Sequence, residues 1–96
     1  MNDTHPTAHG VLQTGDGARY VKQLVSHLGR RSRVESTGEE TVIHLTVGSC
    51  ALRTTDRALH LHAVGDDAEG LATVQRVVGG HLERFAQRHG LRVVWS

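Results

Sequence analysis

His60 and His62 stand two apart in an alternating run, "ALHLHAV", and His44 stands in an earlier one, "TVIHLTV". On an extended chain residues i and i+2 project from the same side, so His60 and His62 are neighbours and an adjacent strand can bring His44 beside them. A divalent ion such as zinc takes three or four ligands at roughly 2.0–2.1 Å. No carboxylate or thiolate is evident on that side to complete the shell. The set is therefore read as solvated histidines or the rim of a contact, with adventitious metal binding as the alternative. A second set is His27, Cys50 and His81. One thiolate and two imidazoles make a reasonable zinc or ferrous site, and the same trio supports thiol chemistry with Cys50 as nucleophile if a histidine lowers its pKa. Against both stand the ordinary roles of a small apolar filler for the cysteine and a backbone-bonded side chain for each histidine. The third set is Arg19, Tyr20 and Arg84. Planar guanidinium forks hold carboxylate- or catecholate-type anions; Arg19, three after Asp16, and Arg84, next to Glu83, equally have the spacing of ion pairs that brace helices.

The elements that must carry these residues are legible from periodicity. "HGVLQT" reads as a first strand, with Leu12 facing opposite to Val11 and Gln13, and Thr14 placed to take a free amide of the "GDG" turn. Ala18, Val21, Leu24, Val25 and Leu28 have helical spacing, ended by Gly29 and followed by Arg30, Arg31 and Arg33. "RVES" and "TVIHLTV" flank a turn at Gly38. Gly48–Ser49 reads as either a tight hairpin or a bulge, after which Cys50 and Leu52 face inward, and "TTDR" turns the chain into the strand carrying Leu59, Leu61 and Ala63. Asp66 and Glu69 have the offset of a capping box opening a long helix with Leu71, Val74, Val78, Leu82 and Phe85 as its core stripe. Gly79 and Gly80 weaken that helix and allow close packing or a bend; Gly90 caps it, and "LRVVW" closes the chain as a strand. The order is β-α-β-β-β-β-α-β: an α+β domain over 8–96, behind a flexible lead-in over 1–7, with an antiparallel-rich sheet and both helices on one face. The histidines at 44, 60 and 62 then point to the open face, a plausible homodimer surface.

Composition narrows the function classes. With 96 residues, 38% hydrophobic and 22% charged, the chain is one small globular domain. A net charge of +1 gives no reason to expect a nucleic-acid or anionic-membrane partner. The expected open face also lacks the Phe or Tyr on which RNA bases stack, and no apolar run approaches the ~20 residues of a membrane span. One cysteine excludes an intrachain disulfide. The polar start, "MNDTHPTAHG", lacks the basic and apolar runs of a secretory signal, so a cytoplasmic location is expected.

"ARYVKQLVSHL" (18–28), "GSCAL" (48–52) and above all "HLERFAQRHGLRVVW" (81–95) resemble a bacterial family of unknown function, DUF2218, over most of the chain. The matching positions include Arg19, Tyr20, His27, Gly48, Cys50, His81, Arg84, Phe85 and Trp95; Leu28 departs from an aromatic that the family pattern usually carries. The resemblance implies a TATA-box-binding-protein-like α+β fold, as in phosphohexomutase C-terminal domains. It further implies a cytoplasmic accessory role near iron and siderophore metabolism. His44, His60 and His62 belong to no motif of that family. The expected function is a non-enzymatic accessory or binding protein for a small anion or siderophore. The alternatives are a small metal-dependent (zinc or iron) or Cys/His thiol enzyme, and a structural homodimer subunit.

Overall fold

The computed structural model describes residues 5–96. Its strands are β1 (Thr7–Gln13), β2 (Arg33–Thr37), β3 (Glu40–Leu45), β4 (Gly48–Thr54), β5 (Ala58–Gly65) and β6 (Val93–Trp95). Its helices are α1 (Gly17–Leu28), α2 (Ala68–Val74) and α3 (Gly80–Phe85), the last two joined by a π-helical turn at Gln75–Gly79. α2, the π turn and α3 form one continuous helical arm. All six strands pair antiparallel in the order β2-β3-β4-β5-β1-β6. The architecture is α+β, an open six-stranded sheet with two helical arms, in the order expected.

One parity of strand residues makes the core. Leu12, Ile43, Cys50, Leu52, Leu59, Leu61 and Ala63 are buried together with Tyr20 and Leu24 of α1 and Val74, Val78 and Leu82 of the second arm. Both arms thus cover one face, and His9, His44, His60 and His62 lie on the other. Burying a leucine of this set contributes roughly 1.5–3 kcal/mol, so reversing the parity of any central strand would be prohibitive.

Several local expectations are corrected. Residues 1–4 of the expected lead-in lie outside the described residues. In the rest of it Thr7 pairs with Val64, and the Gly65 amide donates to the Pro6 carbonyl at 3.0 Å. Gly48 and Ser49 are neither hairpin turn nor bulge; they pair with Leu45 and His44, and the chain reverses at Thr46–Val47. Thr14 accepts the Asp16 amide at 3.0 Å as expected, yet Asp16 is the residue in the cap position of α1. The cap of α2 is Asp67, whose carboxylate accepts the Gly70 amide at 2.7 Å, one residue later than the Asp66–Glu69 box. Tyr20 replaces exposed Ala18 on the buried stripe of α1, and Ala86 rather than Phe85 is fully buried at the end of the second arm.

Two close approaches clamp the second arm. A methyl on Gly65 would fall on the backbone of Leu71, so the start of α2 sits directly on the end of β5. At the other end the Trp95 indole lies between Gly10 of β1 and Gly79, where added methyls would come within 2.8 and 3.1 Å of the ring. Glu83 adds a tether, accepting the Val93 amide at 2.8 Å. Gly65→Ala is expected to cost about 3 kcal/mol or more, because main chain and not a pliable side chain must move. Gly80 meets open space, and Gly80→Ala should stabilise by about 0.5–1 kcal/mol through helix propensity. Denaturant unfolding of the two variants checks both signs.

Candidate functional site

The three sets of residues fare differently. Cys50 is fully buried between Ile43 and Ala63. Burial pushes its thiol up to about 12, against a smaller opposing pull from a hydrogen bond to the His62 backbone. A thiol in that state is neither a nucleophile nor a ready ligand. His27 and His81 do meet, with ring centroids 4.9 Å apart, but Cys50 does not join them. Among the described residues no group of three His, Cys, Asp or Glu side chains is placed to hold a metal ion. The expected His27–Cys50–His81 centre is corrected to a histidine pair, because a shared inward face fixes the layer of a side chain and not its position within it.

The open-face set also separates. His44 Nε2 lies 2.7 Å from a Glu35 carboxylate oxygen, and Arg33 Nη2 is 3.6 Å from the same oxygen. The His44 hydrogen bond first, and the Arg33 charge second, hold the Glu35 carboxyl below its usual range. His60 and His62 instead neighbour His9 of β1. His9 is directly opposite His62, and its ring stacks on that of His60 at 5.6 Å. A shallow depression of about 400 Å³ surrounds these three rings, with Glu39, Glu40 and Arg53 also in its wall. Carboxylates thus do reach the open face, contrary to expectation. His9 was readable from the sequence: it has the outward parity of Val11 and Gln13.

Arg19, Tyr20 and Arg84 do come together. They line a depression of about 710 Å³ between α1 and α3, with Gln23, Arg88 and His89 among the other wall residues. On α1, Arg19 and Tyr20 each lie one turn from Gln23 by helical spacing; Arg84 and Phe85 close α3, and Arg88 and His89 follow on the 3-10 turn at Gln87–His89. The tyrosine ring is 2% exposed. Its hydroxyl has no hydrogen-bond partner among the described residues, and no buried polar side-chain atom is left unpaired, so the hydroxyl is the part that reaches the wall. The bracing ion pairs expected for Arg19 and Arg84 are absent. Among the described residues the ion pairs are Arg33–Glu35, His44–Glu35 and Arg53–Glu39, all on the sheet side. Glu83 is engaged by the Val93 amide instead. Among the described residues the wall therefore carries three guanidinium groups, an imidazole and a phenol, with no carboxylate. An anion fits this chemistry and a metal cation does not.

A family model described as "Uncharacterized protein conserved in bacteria (DUF2218)" matches residues 9–96. Among solved structures, the NMR structure of PA4090 from Pseudomonas aeruginosa is similar at 30% identity, covering 94% of each chain with a TM-score of 0.77. No curated protein matches the chain.

Two outcomes follow from this geometry. Iodoacetamide at neutral pH should label Cys50 only as fast as the protein unfolds; rapid stoichiometric labelling of folded protein would contradict its burial. In His44→Ala the Glu35 carboxyl should titrate closer to its usual range, as read by carboxyl-carbon NMR. Because that carboxyl is depressed when folded, its stabilising contribution is present above the ordinary carboxylate range and is lost as the pH falls through the folded value. The substitution should flatten that acid limb.

Proposed function

The chain belongs to the DUF2218 family, and on that footing we propose that it is a non-enzymatic binding module for a small organic anion, held between α1 and α3. The observation that carries this reading is the gathering of Arg19, Arg84 and Arg88 around one depression with no carboxylate in its wall among the described residues. Like charges held together raise the energy of the empty site, and an anion relieves that cost while its oxygens take the guanidinium forks. The Tyr20 hydroxyl adds a neutral donor at the wall. Carboxylate- and catecholate-bearing molecules present planar or paired oxygens that match such forks, which agrees with a role near siderophore and iron metabolism.

Isothermal titration with citrate and with 2,3-dihydroxybenzoate tests the reading. Arg19→Ala and Arg84→Ala should each weaken binding about tenfold or more, since a charge-assisted hydrogen bond is worth about 1.5–3 kcal/mol. Arg84→Lys should recover only part of the loss, because an ammonium keeps the charge and loses the fork. Affinity unaltered in all three variants, or no binding of either anion, would sink the proposal.

A further inference from the structure

Two turns along α1 from Arg19, about 12 Å by helical rise, the helical layer opens into a second depression. It has a volume of about 430 Å³ and is lined by His27, Leu28, Arg30, Arg31, Ser32 and His81. The His27 and His81 rings are tilted by 54° to each other, and Phe85 packs edge-on against both at 6.0 and 6.2 Å. His81 Nδ1 lies 2.6 Å from the Val77 carbonyl, so the proton is held there and Nε2 is the free nitrogen of the ring. The Arg31 and Ser32 amides donate to the Leu28 carbonyl at 3.2 and 3.1 Å. That turn fixes the main chain under Arg30, Arg31 and Ser32 and leaves their side chains as the available donors.

Basic residues at the end of a helix ordinarily offset its dipole. This accounts for His27, Arg30 and Arg31. It does not account for His81, which comes from the other helical arm and is set against His27. Four basic side chains then share one concavity whose wall has no carboxylate among the described residues. A metal ion is disfavoured there, since the two guanidinium groups stay charged at every working pH and no third ligand is in place among the described residues.

We propose that this depression is a second anion site, one that takes a tetrahedral oxyanion of the phosphoryl type. Arg30 and Arg31 supply forked N–H donors, Ser32 a hydroxyl and the two imidazoles further N–H groups. The site is separate from the one beside Arg19 and stands or falls without it. A neutral His81 presents a lone pair at Nε2, which repels an oxyanion, so binding takes up protons on the imidazoles. The charged groups facing the pair are Arg30 and Arg31, whose charge is constant, while Phe85, Leu28 and the Val77 carbonyl complete the surroundings. Affinity therefore falls as rising pH removes those protons.

Amide NMR of the full chain, titrated with sodium sulfate against sodium chloride at equal ionic strength, tests this. Sulfate keeps its charge throughout the range, so any pH dependence belongs to the protein. Saturable shifts are expected around His27–Ser32 and Val77–Leu82 at about pH 6, weakening about tenfold or more at about pH 8. They should be lost in Arg31→Ala, whose side chain is exposed and whose removal leaves the fold intact. Parallel titrations with inorganic phosphate and glycerol phosphate distinguish a free ion from a phosphoryl group on a larger molecule. Shifts that match those of chloride, that persist in Arg31→Ala, or that arise only beside Arg19 and Arg84 overturn the second site. Saturation of the histidine pair by zinc in place of sulfate overturns it too.

Discussion

Where α2 begins, main chain rests on main chain. Gly65 lets the Leu71 backbone sit on the end of β5, and Gly70 lets the same helix approach the Val47 carbonyl in the β3–β4 turn. No side chain intervenes, so the arm cannot slide or roll without a clash that rotamer changes cannot relieve. The far end is held as firmly by Trp95 between Gly10 and Gly79 and by the bond from Val93 to Glu83. Fixed at both ends, the arm has one orientation against α1. The positions of His81, Arg84 and Arg88 beside His27 and Arg19 follow from that.

Charge is distributed unevenly over the two faces that result. On the sheet side, Glu35 and Glu39 neutralise Arg33 and Arg53 in ion pairs that are individually weak because both partners are exposed. On the helical side, neither depression has a carboxylate in its wall among the described residues. A net charge near neutrality for the whole chain thus conceals a cationic seam along α1 and α3. Electrostatic attraction of small anions depends on that local arrangement, and the overall charge says little about it.

The layer structure was legible in the sequence, because alternation fixes parity. Leu59, Leu61 and Ala63 had to lie on the side opposite His60 and His62, and they do. Gly38, at φ 57°, and Gly90, at φ 66°, end their elements as glycines in turns and caps commonly do. Gly48 misled because its use is spatial: a methyl there would strike the Val64 carbonyl, and the turn itself needed no glycine. Cys50 misled for a different reason, since parity gives a face and says nothing of the distance along it. Arg19, Tyr20 and Arg84 were grouped by their chemistry as holders of an anion, and they line one wall. Their freedom from ion pairs was not legible: Asp16 and Glu83 stood at suitable spacing, and no local pattern reveals that the Glu83 carboxylate is taken by the Val93 amide. The π turn did leave a trace. Gly70, Val74, Val78, Leu82 and Ala86 are buried at a steady interval of four, wider than the 3.6 residues of an α-helical turn, and a regular helix would have rotated that stripe away from the sheet.

That widened turn has a consequence for how the protein can change over generations. The wide turn at Gln75–Gly79 takes up one surplus residue, so α3 faces α1 as it would after a regular helix one residue shorter. Loss of a single codon there would return the arm to regular α-helix and leave the later segment aimed as it is, whereas a residue gained or lost elsewhere in the arm, with no turn to absorb it, would swing everything downstream by about 100°. The arm thus has one place where its length can change and the seam keep its furnishing.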